Sequence, residues 1–213
     1  MQIRYLGHSC FEFISKNGKR IITDPYTKVG YELPQGLYAD VVTTSHAHFD
    51  HAYVQGVECE TLVNEAKSYL VDGMEIVGIE SYHDPASGAL RGKNIIYKFI
   101  VDGITLCHMG DIGEECSAAL VERIGKVDVL LIPVGGTYTV DALGAKKYID
   151  EIAPKAVIPM HYKPQDGALD ITGIQPFLQL MKGQPIAKAL NGITEIDTST
   201  SGIIYMERVT KDE

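Results

Sequence analysis

Cysteine is scarce and scattered in this chain: Cys10, Cys59, Cys107 and Cys116 are the only four in 213 residues, and no C-x-x-C spacing occurs. That pattern excludes a cysteine zinc knuckle and a redox dithiol, and leaves buried free thiols as the expected state. No apolar run approaches the ~20 residues that cross a bilayer. Positive charge is also short, with 19 Lys and Arg against 28 Asp and Glu and a formal net charge of −9. Such a balance opposes nonspecific attraction to nucleic acid or to an anionic membrane. There is no Pro, Gly and Ser linker, no internal repeat and no low-complexity tract, so one domain spanning residues 1–213 is expected. Residues 1–6 run into a strand-like pattern rather than a charged stretch followed by an apolar core, and a cytoplasmic protein is expected. A small-molecule substrate fits this balance, and self-association into a homo-oligomer is compatible with it.

Histidine is rare too, with seven in the chain, and this makes one string conspicuous. His46-Ala47-His48-Phe49-Asp50-His51 reads H-x-H-x-D-H and gathers three of the seven beside an aspartate. It follows Val41-Val42-Thr43-Thr44-Ser45, a β-branched run suited to a buried strand. The string therefore sits at a strand end. In extended chain His46 and His48 point to the same side and can face one ion, while Asp50 and His51, past the turn, can face another. Neutral imidazole and carboxylate suit borderline divalent metals, and the absence of cysteine argues against a closed structural zinc site. The competing reading is a solvated histidine-rich loop.

Strand-like runs at 3–6, 11–14 and 20–23 open the chain, with Asn17-Gly18 as a hairpin turn. Residues 24–40 carry Pro25, Gly30, Pro34 and Gly36 and read as a surface loop bordering a site, whose Tyr26 and Tyr31 either touch substrate or face solvent. Further strands are expected at 61–63, 74–79, 95–101 and 104–107, with turns at Asp72-Gly73 and Asp102-Gly103. Helices are expected at 114–124, 139–152 and 173–181, alternating with strands at 127–134 and 156–160, and strands return over 187–209. Such an order suits two sheets packed face to face with helices outside.

Two ions need more ligands than the string supplies, and three further candidates also sit just after strand-like runs. They are His83 in Ser81-Tyr82-His83-Asp84-Pro85, Asp111 in His108-Met109-Gly110-Asp111-Ile112-Gly113, and His161 after Ala156-Val157-Ile158-Pro159-Met160. The glycines around Asp111 allow close backbone approach. From the residues alone His108 competes with His83, and His8 is as much a structural histidine as a site-lining one.

The ordered set of Asp24, the H-x-H-x-D-H string, His83, Asp111 and His161 resembles the five motifs of the metallo-β-lactamase superfamily. The phrases Leu6-Gly7-His8-Ser9-Cys10-Phe11, Thr23-Asp24-Pro25, Gly110-Asp111-Ile112-Gly113, Pro133-Val134-Gly135-Gly136-Thr137-Tyr138 and Ile158-Pro159-Met160-His161-Tyr162 sharpen it. Together they resemble the branch of metal-dependent hydrolases related to L-ascorbate-6-phosphate lactonase. The resemblance implies an α/β fold, a four-layer αββα sandwich with the site at one edge of the paired sheets. It implies His46, His48 and His83 on one metal, Asp50, His51 and His161 on the other, Asp111 bridging both, and Asp24 fixing a ligand imidazole from outside. The family pattern places its third histidine well upstream of the aspartate, which favours His83 over His108. His108 is then an outer or buried, hydrogen-bonded residue, and His8 is grouped with it outside the ligand set.

Two divalent ions are expected, zinc first, with manganese and iron compatible. The implied activity is hydrolysis of a small, anionic ester, lactone or phosphoester by a metal-bridging hydroxide, with Asp50 and Asp111 as catalytic carboxylates. Aspartate at 111 disfavours β-lactam hydrolysis, for which the family commonly uses cysteine there. Amides of Gly135-Gly136-Thr137 could form an anion nest. The alternatives are a non-catalytic metal-binding regulatory or scaffold protein on the same fold, and a nuclease of the same superfamily, which fits poorly with the acidic charge.

Overall fold

The computed structural model describes residues 1–209. Fourteen strands form two sheets. Six belong to the first: β1 (Gln2–Gly7), β2 (Cys10–Ile14), β3 (Arg20–Thr23), β4 (Leu37–Thr43), β5 (Val57–Val63) and β13 (Ile193–Glu195), in the spatial order β13-β1-β2-β3-β4-β5. The second holds β6 (Ser68–Val71), β7 (Met74–Tyr82), β8 (Lys93–Val101), β9 (Ile104–His108), β10 (Val129–Pro133), β11 (Ala156–Met160), β12 (Ile186–Ala189) and β14 (Gly202–Met206). Its order is β12-β14-β11-β10-β9-β8-β7-β6. The expected α/β class with two sheets is the one observed; its helices are few, and where the αββα expectation puts a helical layer over the first sheet, residues of the 24–36 loop pack instead.

Alternation along the first sheet decides what each face buries. Ile3, Tyr5, Phe11, Phe13 and Ile21 join a buried cluster with Ile76, Ile96, Phe99 and Leu106 of the second sheet. Phe13 and Phe99 meet across the gap with ring centroids 5.3 Å apart. Each such ring or aliphatic chain contributes about 1.5–3 kcal/mol when fully buried. The other face of the first sheet, through Leu6, Cys10, Ile22 and Val42, is covered by Tyr26, Val29 and Leu33 of the 24–36 loop. The outer layer on that side is thus a loop.

Helices α1 (Ala118–Ile124), α2 (Ala142–Ile152) and α3 (Gln175–Leu180) are shorter at their starts than the periodicity predicts, and caps explain the first two. The Ser117 side chain accepts from the Leu120 amide and starts α1, while Glu114 is held outside the helix by its amide bonding the Tyr82 carbonyl. Asp141 caps α2 through the Gly144 amide at 2.9 Å, worth about 1 kcal/mol. Among the described residues no helix is long and apolar enough to cross a membrane.

Candidate metal centre

The string at 46–51 leaves the end of β4 and folds back, with the His51 and Ala52 amides both bonding the His48 carbonyl at 3.0 Å. Asp24, just past β3 beside it, anchors the turn. It sits at φ 40°, a left-handed conformation that aspartate tolerates better than most residues. Its Oδ1 accepts from the Ser45 amide at 2.7 Å and its Oδ2 from the Ser45 hydroxyl at 2.6 Å. The same Oδ2 lies 2.8 Å from His51 Nδ1, and Ser45 Oγ lies 3.0 Å from His46 Nδ1. One buried carboxylate therefore sets the tautomer of His51 directly and of His46 through a serine. In both rings Nε2 is left to face the site.

Asp111 comes from the loop after β9. Asn94 fixes that loop from β8: its Nδ2 donates to Ser81 Oγ at 2.7 Å and to the Met109 carbonyl at 2.9 Å, and its Oδ1 accepts the Asp111 amide at 2.9 Å. Gly110 lies at φ 55°, and a Cβ there would collide with the side chains of Asn94 and Ser45. The glycine predicted to permit close approach does so at this point. His83 follows β7 and His161 follows β11, so each second-sheet candidate leaves the end of a strand, as the sequence implies.

These loops converge on the Asp111 carboxylate. His51 Nε2 lies 3.1 Å from its Oδ1, and His161, His83 and His46 Nε2 lie 3.2, 3.3 and 3.9 Å from its Oδ2. Donor atoms gather in three overlapping groups: His46, His48 and His83; His46, His51 and Asp111; and His8, Asp50, His51 and His161. The arrangement fits divalent cations, because Nε2 of His46, His51 and His161 and Oδ1 of Asp111 are buried without a hydrogen-bond partner. Orphaned buried polar atoms cost about 1–3 kcal/mol each, and so many aimed at one place mark a site for an ion.

The electrostatics agree with that donor set at His46, Asp24 and Asp111. Burial, reinforced by His51, lowers the His46 pKa to about 3, and burial beside His161 lowers that of His8 to about 4. Both rings are therefore neutral at pH 7, which leaves His46 a lone pair at Nε2. Burial alone would raise Asp24 and Asp111, but hydrogen bonds from His51 and Ser45 hold Asp24 low, and His161 and His51 hold Asp111 well below the carboxylate range. His51 is held up instead, since Asp111 and Asp24 together outweigh its burial.

The two ends of the centre differ in exposure. His48 is exposed and lines, with His46, a cavity of about 740 Å³ that also reaches Arg91 and Lys93. His8, His51 and His161 are buried at 1% exposure or less. His108 is set apart: its ring lies 2.8 Å from the Ser9 carbonyl through Nε2 and accepts the Gly110 amide at Nδ1, so it is the buried, hydrogen-bonded histidine. Tyr26 is fully buried, bonding the Leu6 carbonyl at 2.7 Å, and is neither a substrate contact nor solvated. Tyr31 packs under Arg208 at 4.2 Å. The Gly136 amide is turned to the Val140 carbonyl at 3.3 Å, which removes one donor from the suggested nest. Ser45 and Asn94 escape sequence reading, although an asparagine next to Ile95, Ile96 and Tyr97 in a strand runs against β propensity and is a signal.

A family model described as a beta-lactamase superfamily domain matches residues 2–161. The chain belongs to that superfamily. Within it, a UPF0173 metal-dependent hydrolase of Thermococcus onnurineus is 29% identical over 192 residues, covering 76% of this chain and 84% of the relative. One of Nanoarchaeum equitans is 30% identical over 188 residues with the same shares. A crystal structure of a candidate zinc-dependent hydrolase of the metallo-beta-lactamase superfamily from Thermotoga maritima is 35% identical. It superposes with a TM-score of 0.81 over 98% of this chain and 99% of that one.

Proposed function

We propose that this chain is a metal-dependent hydrolase that cleaves a small, anionic ester, lactone or phosphoester, acting as one metallo-hydrolase domain. The observation that carries the reading is the Asp111 carboxylate surrounded by His46, His51, His83 and His161, with the facing Nε2 of His46, His51 and His161 unpartnered. In this reading His46, His48 and His83 hold one ion, Asp50, His51 and His161 hold the other, and Asp111 is shared. Similarity to relatives named metal-dependent hydrolases supports it. Divalent ions held there, zinc first and manganese or iron as alternatives, would polarise the scissile bond and lower the pKa of attacking water toward about 7.

The chain's own groups do the rest. Asp24 and Ser45 lock two imidazoles in the tautomer that offers Nε2. Asp50, its side chain 13% exposed, takes the proton of the attacking water and returns it to the leaving oxygen. Arg91 lines the cavity with its guanidinium bonded to the Thr137 carbonyl and 5.7 Å from the Tyr138 ring centre. It makes no ion pair with a carboxylate among the described residues, so its charge is available to an anionic substrate group. The motif phrases around His8, Asp24 and His161 favour the branch related to L-ascorbate-6-phosphate lactonase, and with it a lactone or phosphorylated substrate.

The test is a panel of phosphodiesters, sugar lactones and thioesters, run on protein loaded separately with zinc and manganese. Asp111→Ala is expected to abolish turnover and lower metal content while circular dichroism stays unchanged. An active Asp111→Ala protein would sink the assignment.

A further inference from the structure

His8 does more than line the site. It lies in the β1–β2 turn at φ 54°, and three contacts immobilise it. Its carbonyl accepts from Tyr5 Oη at 3.0 Å and from the His161 amide at 2.9 Å, and its ring lies against the His161 ring at a centroid distance of 4.2 Å. Gly7 before it, at φ 118°, has no room for a Cβ against Tyr31 and Tyr26, so the turn cannot relax without moving those rings. So fixed, His8 Nε2 stands 3.2 Å from Asp50 Oδ2, within reach of a hydrogen bond.

Asp50 needs such a partner. It lies in the loop of the string with an exposed phenylalanine beside it, Phe49 at 50% exposure, and its Oδ2 is 3.7 Å from His51 Nε2. Asp24 secures His51 and, through Ser45, His46. Among the described residues, no side-chain hydrogen bond to Asp50 other than that of His8 is present. We propose that His8 is a positioning residue for the deeper half of the centre: its Nε2–H, donated to Asp50, holds that carboxylate beside His51 and His161 so that the ion there is retained. The proposal rests on the two-ion reading above. It makes the two halves unequal, with a group of His46, His48 and His83 whose first two members line the cavity, and a closed group of Asp50, His51 and His161 backed by His8.

Two variants separate a hydrogen-bonding role from packing and from direct ligation. His8→Asn keeps the left-handed backbone, which asparagine tolerates, but its amide is too short to reach Asp50. His8→Gln carries an amide N–H at about the reach of Nε2. Metal per chain is measured by elemental analysis after dialysis against graded chelator, with circular dichroism as the check on folding. Wild type is expected to keep two ions. His8→Asn is expected to bind the second ion about 10–100-fold more weakly, and His8→Gln to recover most of that loss. If both variants retain two ions at wild-type affinity, His8 only packs and the proposal falls. If His8→Gln loses the ion as completely as His8→Asn, His8 is a ligand itself and the positioning role is wrong. Wild type that retains no metal sinks the two-ion reading along with the proposal, whereas a two-ion wild type with unaffected variants sinks the His8 assignment alone.

Discussion

Asp24 shows how much one side chain outside the donor groups decides. It accepts from His51 directly and from Ser45, whose hydroxyl oxygen in turn faces His46 Nδ1, so its carboxylate orients two imidazoles of the centre. Asp24→Asn is expected to keep the fold, because asparagine is as comfortable as aspartate at a left-handed position. It would nonetheless place an amide N–H where two donors now point. Affinity for metal should fall about 10–100-fold, the usual cost of losing such a partner. Competition with a chromogenic chelator measures this, and an unchanged affinity would show that His51 and His46 hold their tautomers unaided.

At the scale of elements, Asp128 ties together the starts of three strands. Its carboxylate accepts the Thr105 amide at 2.9 Å and pairs with Lys155 at 2.9 Å, while its own amide and carbonyl bond Thr105 and Ala156, each at 2.9 Å. Burial pushes its pKa up, but the Thr105 amide and Lys155 outweigh it and hold the pKa below normal. A depressed carboxylate contributes stability above the unfolded value of about 3.9, and that contribution is lost as pH falls through the folded value. Asp128→Asn should therefore be less stable than wild type at pH 7. The gap should narrow in acid, and urea melts at several pH values test this; a gap that persists in acid would rule the linkage out.

Much of this element scale is legible in the sequence. The Asn17-Gly18, Asp72-Gly73 and Asp102-Gly103 turns all join antiparallel neighbours, and β3 and β11 lie where their β-branched and apolar runs place them. What escapes is set by distant partners. The short strand β6 has only four residues, and it pairs with β7. The start of α1 depends on Glu114 being held by β7. The His46–His51 string, His83, Asp111 and His161 stand out because each follows a strand, and it is the family resemblance that adds Asp24 and sets His83 ahead of His108. Asn94 lies inside β8 and Ser45 reads as the end of a β-branched run, and their roles exist only once the loops meet.

Across the whole molecule, the two sheets contribute separately to the centre. His8 and the string at 46–51 come from loops of the first sheet, whereas His83, Asp111 and His161 follow strands of the second. Bound cations would thus pin one sheet to the other at the site edge, in addition to the apolar core between them. At a free metal concentration 100 times Kd, binding adds about 2.7 kcal/mol per site. In a chain of this size that corresponds to a rise in Tm of roughly 5–10 °C. Calorimetry before and after chelation checks it; an identical Tm would mean that the sheets do not feel the ions.

The seating of β1 between β2 and the late strand β13, through pairs such as Ile3 with Thr194, has a consequence for how the protein is made. A ribosome releases the H-x-H-x-D-H string before β13, and the sheet that presents it is not complete until Ile193–Glu195 have emerged. His161 likewise follows the string by more than a hundred residues. Until β13 and His161 have emerged, the growing chain would therefore carry the string with no finished place to put an ion.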